Sequence, residues 1–248
     1  MKSPLLYILE VLFCSGLLLA FYRLLLVRKV SFRACRRYLV AAVFLSAVIP
    51  ALDIPLYPAR TVVYPLPLIA APPAENFVQT TGELPVAVPV VPSGWRRILR
   101  PMAVGGYLTA VFLSLGFLAV RMVGIRRLRR RSRLTDCGAY TLAEHPQIAT
   151  PFSFLRTVFL GGGYEGRRRM IVLCHEAGHV RHRHSAERIA VELVRSLFWF
   201  NPFVWIAGRW LQEVHEWEAD RDVLDAGYDL TEYRTVIFFT NSSAIIRI

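Results

Sequence analysis

Long apolar runs and arginine clusters alternate along the first half of this chain. Residues 4–27 are apolar apart from Glu10 and Arg23, and a run of that length can cross a bilayer as a helix. It lacks a small-residue cleavage site and is followed directly by arginines, so it reads as a span and not as a removable signal. The basic loop after it holds Arg28, Lys29, Arg33, Arg36 and Arg37, and residues 38–52 form a second apolar run. A third, 102–125, is preceded by Arg96, Arg97 and Arg100 and followed by six arginines between Arg126 and Arg133. Between the second and third runs, residues 50–92 hold ten of the fifteen prolines and almost no periodicity. That composition predicts an extended, polyproline-like linker.

From Leu134 onward the pattern is that of a folded domain. Short strands are expected at 140–142, 151–154 and 157–160, ended by Gly161-Gly162-Gly163. A helix follows through 169–180. A second, with Ser185 as its cap and Glu187 in its first turn, runs to Phe200 and stops at Asn201-Pro202. A third starts near Phe203 and continues to Leu224. The expected fold is therefore an α-helical multi-pass membrane protein with three spans and a mainly helical α+β domain carrying a small β-sheet. Its parts are 1–54 (two spans and a basic loop), 55–101 (linker), 102–125 (third span) and 126–248 (folded domain). Residues 197–210 are rich in Phe and Trp, which fits either core packing or contact with the bilayer interface. Glu192, Arg195, Asn201, Pro202 and Arg209 interrupt that stretch and argue against a fourth span.

Composition supports the membrane reading. The hydrophobic fraction is 54% and the net charge +12, more apolar than an ordinary soluble domain. Lys2 and Lys29 are the only lysines, and the arginines sit beside apolar runs. This pattern favours membrane orientation and anionic headgroups over direct nucleic-acid binding. By the positive-inside rule, the first loop and everything after the third span are cytoplasmic, with the N-terminus and linker outside. The cysteines Cys14, Cys35, Cys137 and Cys174 form no CxxC pair and imply no disulfide framework.

The chemistry concentrates in His175-Glu176-Ala177-Gly178-His179 and, forty residues on, His215-Glu216-Trp217-Glu218-Ala219-Asp220. In a helix, residues i and i+4 share a face, so His175 and His179 can reach one metal ion while Glu176 takes a proton from its water. A catalytic zinc needs a third protein ligand and one open position. Glu216 with Asp220, or Glu218 with Asp222, would each supply a carboxylate ligand and a second carboxylate one turn later. The helix geometry leaves both pairs open. His182 and His184 are read as solvated partners in a basic turn and His145 as a loop residue before Pro146, none with a metal role.

Four blocks, "TPFSFLRTVFL", "HEAGHVRHRHS", "LFWFNPFVW" and "HEWEADRDVL", together with the two-span opening, resemble the BlaR/MecR-type antirepressor metallopeptidases, integral-membrane zinc proteases of the gluzincin kind. The resemblance implies one Zn2+ per chain held by His175, His179 and Glu216, with Glu176 as general base and Asp220 behind a ligand histidine. It thus favours Glu216 over Glu218, so that Glu218→Ala is expected to keep metal and activity. It also implies a bacterial inner-membrane location, a cytoplasmic peptidase domain and a protein substrate, a transcriptional repressor. His215, Tyr228 or Tyr233 would assist the carbonyl oxygen, and Phe152, Ser153 and Phe154 would form the edge strand that pairs with substrate. Against the family pattern, there is no clear fourth span and no extracellular penicillin-binding sensor domain. The rival readings are a membrane quality-control protease and a non-catalytic signalling or energy-coupling protein.

Overall fold

In the computed structural model, residues 4–27, 29–52 and 94–241 are described. The expected proline-rich linker falls mainly outside them. By contacts the chain divides into two compact units, residues 1–52 with 108–248, and residues 53–107. Among the described residues, the second unit contains only the beginning of the third long helix.

Helix α1 (Pro4–Phe21) ends in a π-helical turn, Tyr22–Leu26. Helix α2 (Phe32–Val48) starts earlier than its apolar run because Ser31 caps it, its side chain accepting from the Ala34 amide. The first turn of α2 is therefore cationic, and Arg36 belongs to the helix rather than to a loop. Helix α3 (Gly94–Arg131) outruns the expected span at both ends. All three helices are long and apolar enough to cross a membrane. Their outer faces show large apolar side chains, among them Phe13, Leu17, Phe112, Leu113 and Val120.

The folded part begins with β1 (Arg133–Asp136), β2 (Thr141–Glu144), β3 (Phe152–Phe154) and β4 (Thr157–Leu160), in the order β1-β2-β4-β3. Strand β1 carries RLTD with every residue exposed, so no alternation betrays it in the sequence. β2 and β4 run parallel, and β3 and β4 are antiparallel with Phe152 opposite Phe159. Those two rings stack at 4.5 Å. β4 is central and wholly buried, whereas β3 is an edge. Gly161, just after β4, is required there: a Cβ would lie 2.0 Å from the Ile148 carbonyl oxygen.

Four helices complete the unit: α4 (Gly166–Arg181), α5 (His184–Leu197), α6 (Pro202–Asp225) and α7 (Leu230–Asn241). Ser185 does not cap α5. The helix starts one residue earlier, after Arg183 in a left-handed conformation (φ 58°). Asn201 caps α6 through the Phe203 amide and also donates to the Ser15 hydroxyl in α1 at 3.0 Å. Phe203 packs on Gly16. The α5–α6 turn thus reaches about the middle of α1 and the chain returns, which is a hairpin and not a fourth span. Its aromatic residues divide: Phe198, Phe203 and Trp210 pack into the core, while Trp199 and Trp205 remain exposed.

Among the described residues there are two large apolar cores and a small third one of Ala143, Ile148 and Phe159. One joins α1 and α2 to α5 and α6 through Leu19, Leu39, Val43, Val191, Val204 and Leu211. The other joins the sheet to α4, α6 and α7 through Val158, Leu160, Ile171, Val223 and Val236. Among the described residues α6 is the helix that contributes to both large cores, one half of it against the spanning helices and the other against α4.

Candidate metal centre

Helix α4 buries Ile171 and Val172 against the second core, which fixes its rotation. The same rotation turns His175 and His179 toward α6. Their Nε2 atoms are 3.2 Å apart. Glu216, from α6, places Oε2 3.4 Å from His175 Nε2 and 3.8 Å from His179 Nε2. A tetrahedral ion with bonds of about 2.0–2.1 Å sets its donor atoms roughly 3.3 Å from one another. Three such atoms therefore fit one zinc-sized ion, with a position left toward the cleft.

The close approach of the two helices depends on Gly178. A Cβ there would sit 2.9 Å from Asp222 Oδ2 and 3.4 Å from Ala219 Cα. This glycine is one of the two unspecified residues of the His-Glu-x-x-His motif, and the second helix explains it.

Behind His175, Nδ1 lies 2.9 Å from the Tyr233 hydroxyl and 3.3 Å from Asp220 Oδ1. The Tyr233 hydroxyl in turn donates to Asp220 in a short hydrogen bond. This holds the His175 proton on Nδ1 and leaves Nε2 for a metal, the arrangement that ligand histidines usually require. Burial of His175 works against its charge, but Asp220 and Glu216, with Glu176 close by, push its pKa up to about 10. Desolvation raises the Glu216 carboxyl, yet its contacts with His175 and His179 outweigh this and hold it well below the usual carboxylate range. Glu176 is buried beside the histidines. Its pKa is raised by that burial, against the pull of His175, His179 and a hydrogen bond with Ser153.

The cleft in front of these groups is about 340 Å³ and is lined by Thr150, Phe152, Ser153, Glu176, Glu216 and Tyr233 among others. Among the described residues β3 pairs on one side only, and Phe152 and Ser153 bring its outer edge to the rim. Phe154 is further along β3 and packs with Ile125 and Leu128 near Phe159.

Two of the three groups expected to stand over the carbonyl oxygen lie elsewhere. His215 is 1% exposed, stacks on His184 at 4.0 Å and places Nε2 2.8 Å from Glu187 Oε2. It projects from the side of α6 away from the cleft, because it precedes Glu216 by one residue and so turns about 100° from it. Tyr228 packs against the second core. Tyr233 does line the cleft.

The histidines after the motif also depart from the sequence reading. His184 is 1% exposed and places Nδ1 2.8 Å from His179 Nδ1. Its Nε2 is 3.1 Å from Glu218 Oε2. His182 Nε2 is 2.9 Å from Asp222 Oδ2. Neither is a solvated surface residue. Glu218 is likewise buried, and its Oε2 lies 2.5 Å from Arg36 Nη1. Arg36 Nε is 3.2 Å from Glu187 Oε1. The expectation that Glu218→Ala keeps metal and activity does not foresee this contact: removing one partner of a buried ion pair costs about 3–5 kcal/mol of stability. Both carboxylate pairs of α6 are in use, Glu216 with Asp220 toward the cleft and Glu218 with Asp222 toward His184 and His182. The alternation of acidic residues from 216 to 222 was the signal for this.

The family model described as BlaR1 peptidase M56 matches residues 17–237. The chain belongs to that family. Comparison with curated proteins gives no match. The M56 match begins inside α1 and ends inside α7, so it takes in the spanning helices as well as the donor triad. Membership in a peptidase family with three candidate spans makes the chain a membrane peptidase by family, and the His175, His179 and Glu216 cluster is the group in it able to hold a metal ion among the described residues.

In metal-free protein, the raised pKa of His175 means that its pairing stabilises the fold fully below pH 6.5 and is lost as the pH rises through about 10. Histidine NMR of the metal-free protein should therefore show one ring still protonated at pH 8, and His175→Gln should remove that signal. Titration of every histidine near 6.5 would contradict the arrangement.

Proposed function

We propose that this protein is a membrane-bound zinc endopeptidase that cleaves a protein substrate, acting in regulatory signalling by cutting a transcriptional repressor. One observation carries the catalytic reading: two imidazoles and a carboxylate converge within ligand distance, beside a buried glutamate, near a strand edge that is unpaired among the described residues. A non-catalytic signalling protein would have no need of that convergence. His175, His179 and Glu216 hold the ion, which when bound supplies Lewis-acid activation of water and of the scissile carbonyl.

The protein's own groups do the rest. Glu176, adjacent to the ligands, accepts a proton from the attacking water at its carboxylate and passes it to the leaving amine. Burial raises its pKa, against the pull of the two histidines, which makes it a stronger base than an exposed carboxylate. Ser153 steadies it from β3. The substrate backbone adds to the free edge of β3 at Phe152 and Ser153, which draws the peptide out straight across the triad. Tyr233, held by Asp220, is the remaining hydroxyl on the cleft wall near the carbonyl oxygen.

Orientation follows from charge and packing together. The arginine-rich start of α2 and end of α3 both face the peptidase part, through Arg36 with Glu218 and through Leu128 against the sheet. Under the positive-inside rule this supports a cytoplasmic peptidase part at the inner membrane of a bacterium, where a repressor is within reach. Reporter fusions after Lys29 and Arg133 should both read cytoplasmic and a fusion at Asn76 external. A fusion at Arg133 that reads external would overturn the topology.

Glu176→Ala should bind zinc like the wild type and lose turnover by at least the ~10²–10⁴-fold expected of a positioned acid–base group. Metal analysis and peptide-cleavage assays on the same preparation separate the two effects. Undiminished cleavage would remove Glu176 from the mechanism.

A further inference from the structure

Arg36 is a charged residue in the second turn of a helix long enough to cross a membrane, yet it is 8% exposed. Its guanidinium is buried among groups from the peptidase helices, with Nη1 on Glu218 of α6 and Nε toward Glu187 of α5. The Glu218 oxygen it holds is also the one that His184 reaches, and His184 ends on His179. A continuous path of side chains therefore joins α2 to a predicted metal ligand.

The direction of each hydrogen bond along that path is fixed by what the groups can do. An ionised carboxylate only accepts, so His184 donates from Nε2–H to Glu218. A neutral imidazole with its proton on Nε2 has a bare Nδ1. At 2.8 Å, His184 Nδ1 and His179 Nδ1 must form one hydrogen bond, and His179 is then the donor. The His179 proton sits on Nδ1, and its Nε2 lone pair faces His175 and Glu216. Without an acceptor at Glu218, His184 could carry its proton on Nδ1 instead. His179 would then be the acceptor at Nδ1 and would carry its proton on Nε2, the nitrogen the metal needs.

We propose that Arg36 is a positioning residue for the metal centre: from α2 it holds Glu218 in place, and Glu218, through His184, sets the tautomer in which His179 presents Nε2. His175 has a carboxylate behind it directly, in Asp220. His179 reaches one only through an imidazole, and the charge that anchors that carboxylate comes from the membrane part of the chain. Metal affinity then depends on how α2 seats against α5 and α6. This rests on the reading of His175, His179 and Glu216 as a zinc site.

The test is zinc affinity of the full-length protein in detergent, measured by competition with a chromophoric chelator, with thermal unfolding recorded in parallel. Arg36→Met should weaken zinc binding by roughly 10–100-fold, the usual size for a partner behind a ligand histidine, and Arg36→Lys should recover most of it. In a His184→Ala background, Arg36→Met should cause no further loss of affinity, because the path is already cut, while still lowering the melting temperature. Should Arg36→Met not fold, the neutral pair Arg36→Met with Glu218→Met removes both charges and the acceptor together, and it should fold and bind zinc more weakly. Wild-type zinc affinity in Arg36→Met or in the neutral pair, or equal losses with and without His184, would reduce Arg36 to a docking residue and overturn the proposal. A wild-type protein whose zinc binding is unaffected by Glu216→Ala would instead overturn the underlying site.

Discussion

The contact between α4 and α6 at Gly178 is the constraint on which the rest depends. Helices that met through ordinary side chains would stand farther apart, and a carboxylate on α6 would not reach both imidazoles of α4. With no Cβ at Gly178, Ala219 and Asp222 come against the α4 backbone. Glu216 and Asp220 then fall on one side of the contact and Glu218 and Asp222 on the other. One helix thereby supplies the third donor, the acceptor behind His175 and the acceptors for His182 and His184. The same helix carries its N-terminal half along α1 and α2, so the geometry of the centre is tied to the spanning helices by a rigid element.

Much of this was legible in the sequence, for physical reasons that can be named. Spans are announced by length and apolarity, and the motif histidines by a spacing that only a helix makes useful. The pairing of Glu216 with Asp220 was one of two solutions that helix periodicity allowed, and the resemblance chose between them. The structure shows that the second solution is not empty. Glu218 and Asp222 serve another set of histidines, which no rule about a single face would reveal.

What escaped the sequence depended on non-local or irregular backbone. His184 follows His179 by five residues, a spacing that misses the helical face. The left-handed Arg183 breaks the helix and folds His184 back onto the motif. Arg36 and Glu218 are 182 residues apart, and Arg36 stood in a cluster of arginines whose membership in a topology signal hid its individual contact. β1 was missed because it is wholly exposed, and α7 was missed although Asp229 caps it, its side chain accepting from the Thr231 and Glu232 amides. His215 was placed over the cleft by its neighbourhood in sequence, although one step along a helix turns a side chain away.

The central claim is that the ion is held by two imidazoles and one carboxylate, with His184 behind the ligands and not among them. X-ray absorption spectroscopy at the zinc edge on the loaded full-length protein reads this directly. The account predicts a first shell of nitrogen and oxygen at about 2.0–2.2 Å with scattering from two imidazole rings. Three imidazoles, or a sulfur at about 2.3 Å from Cys174, would contradict it.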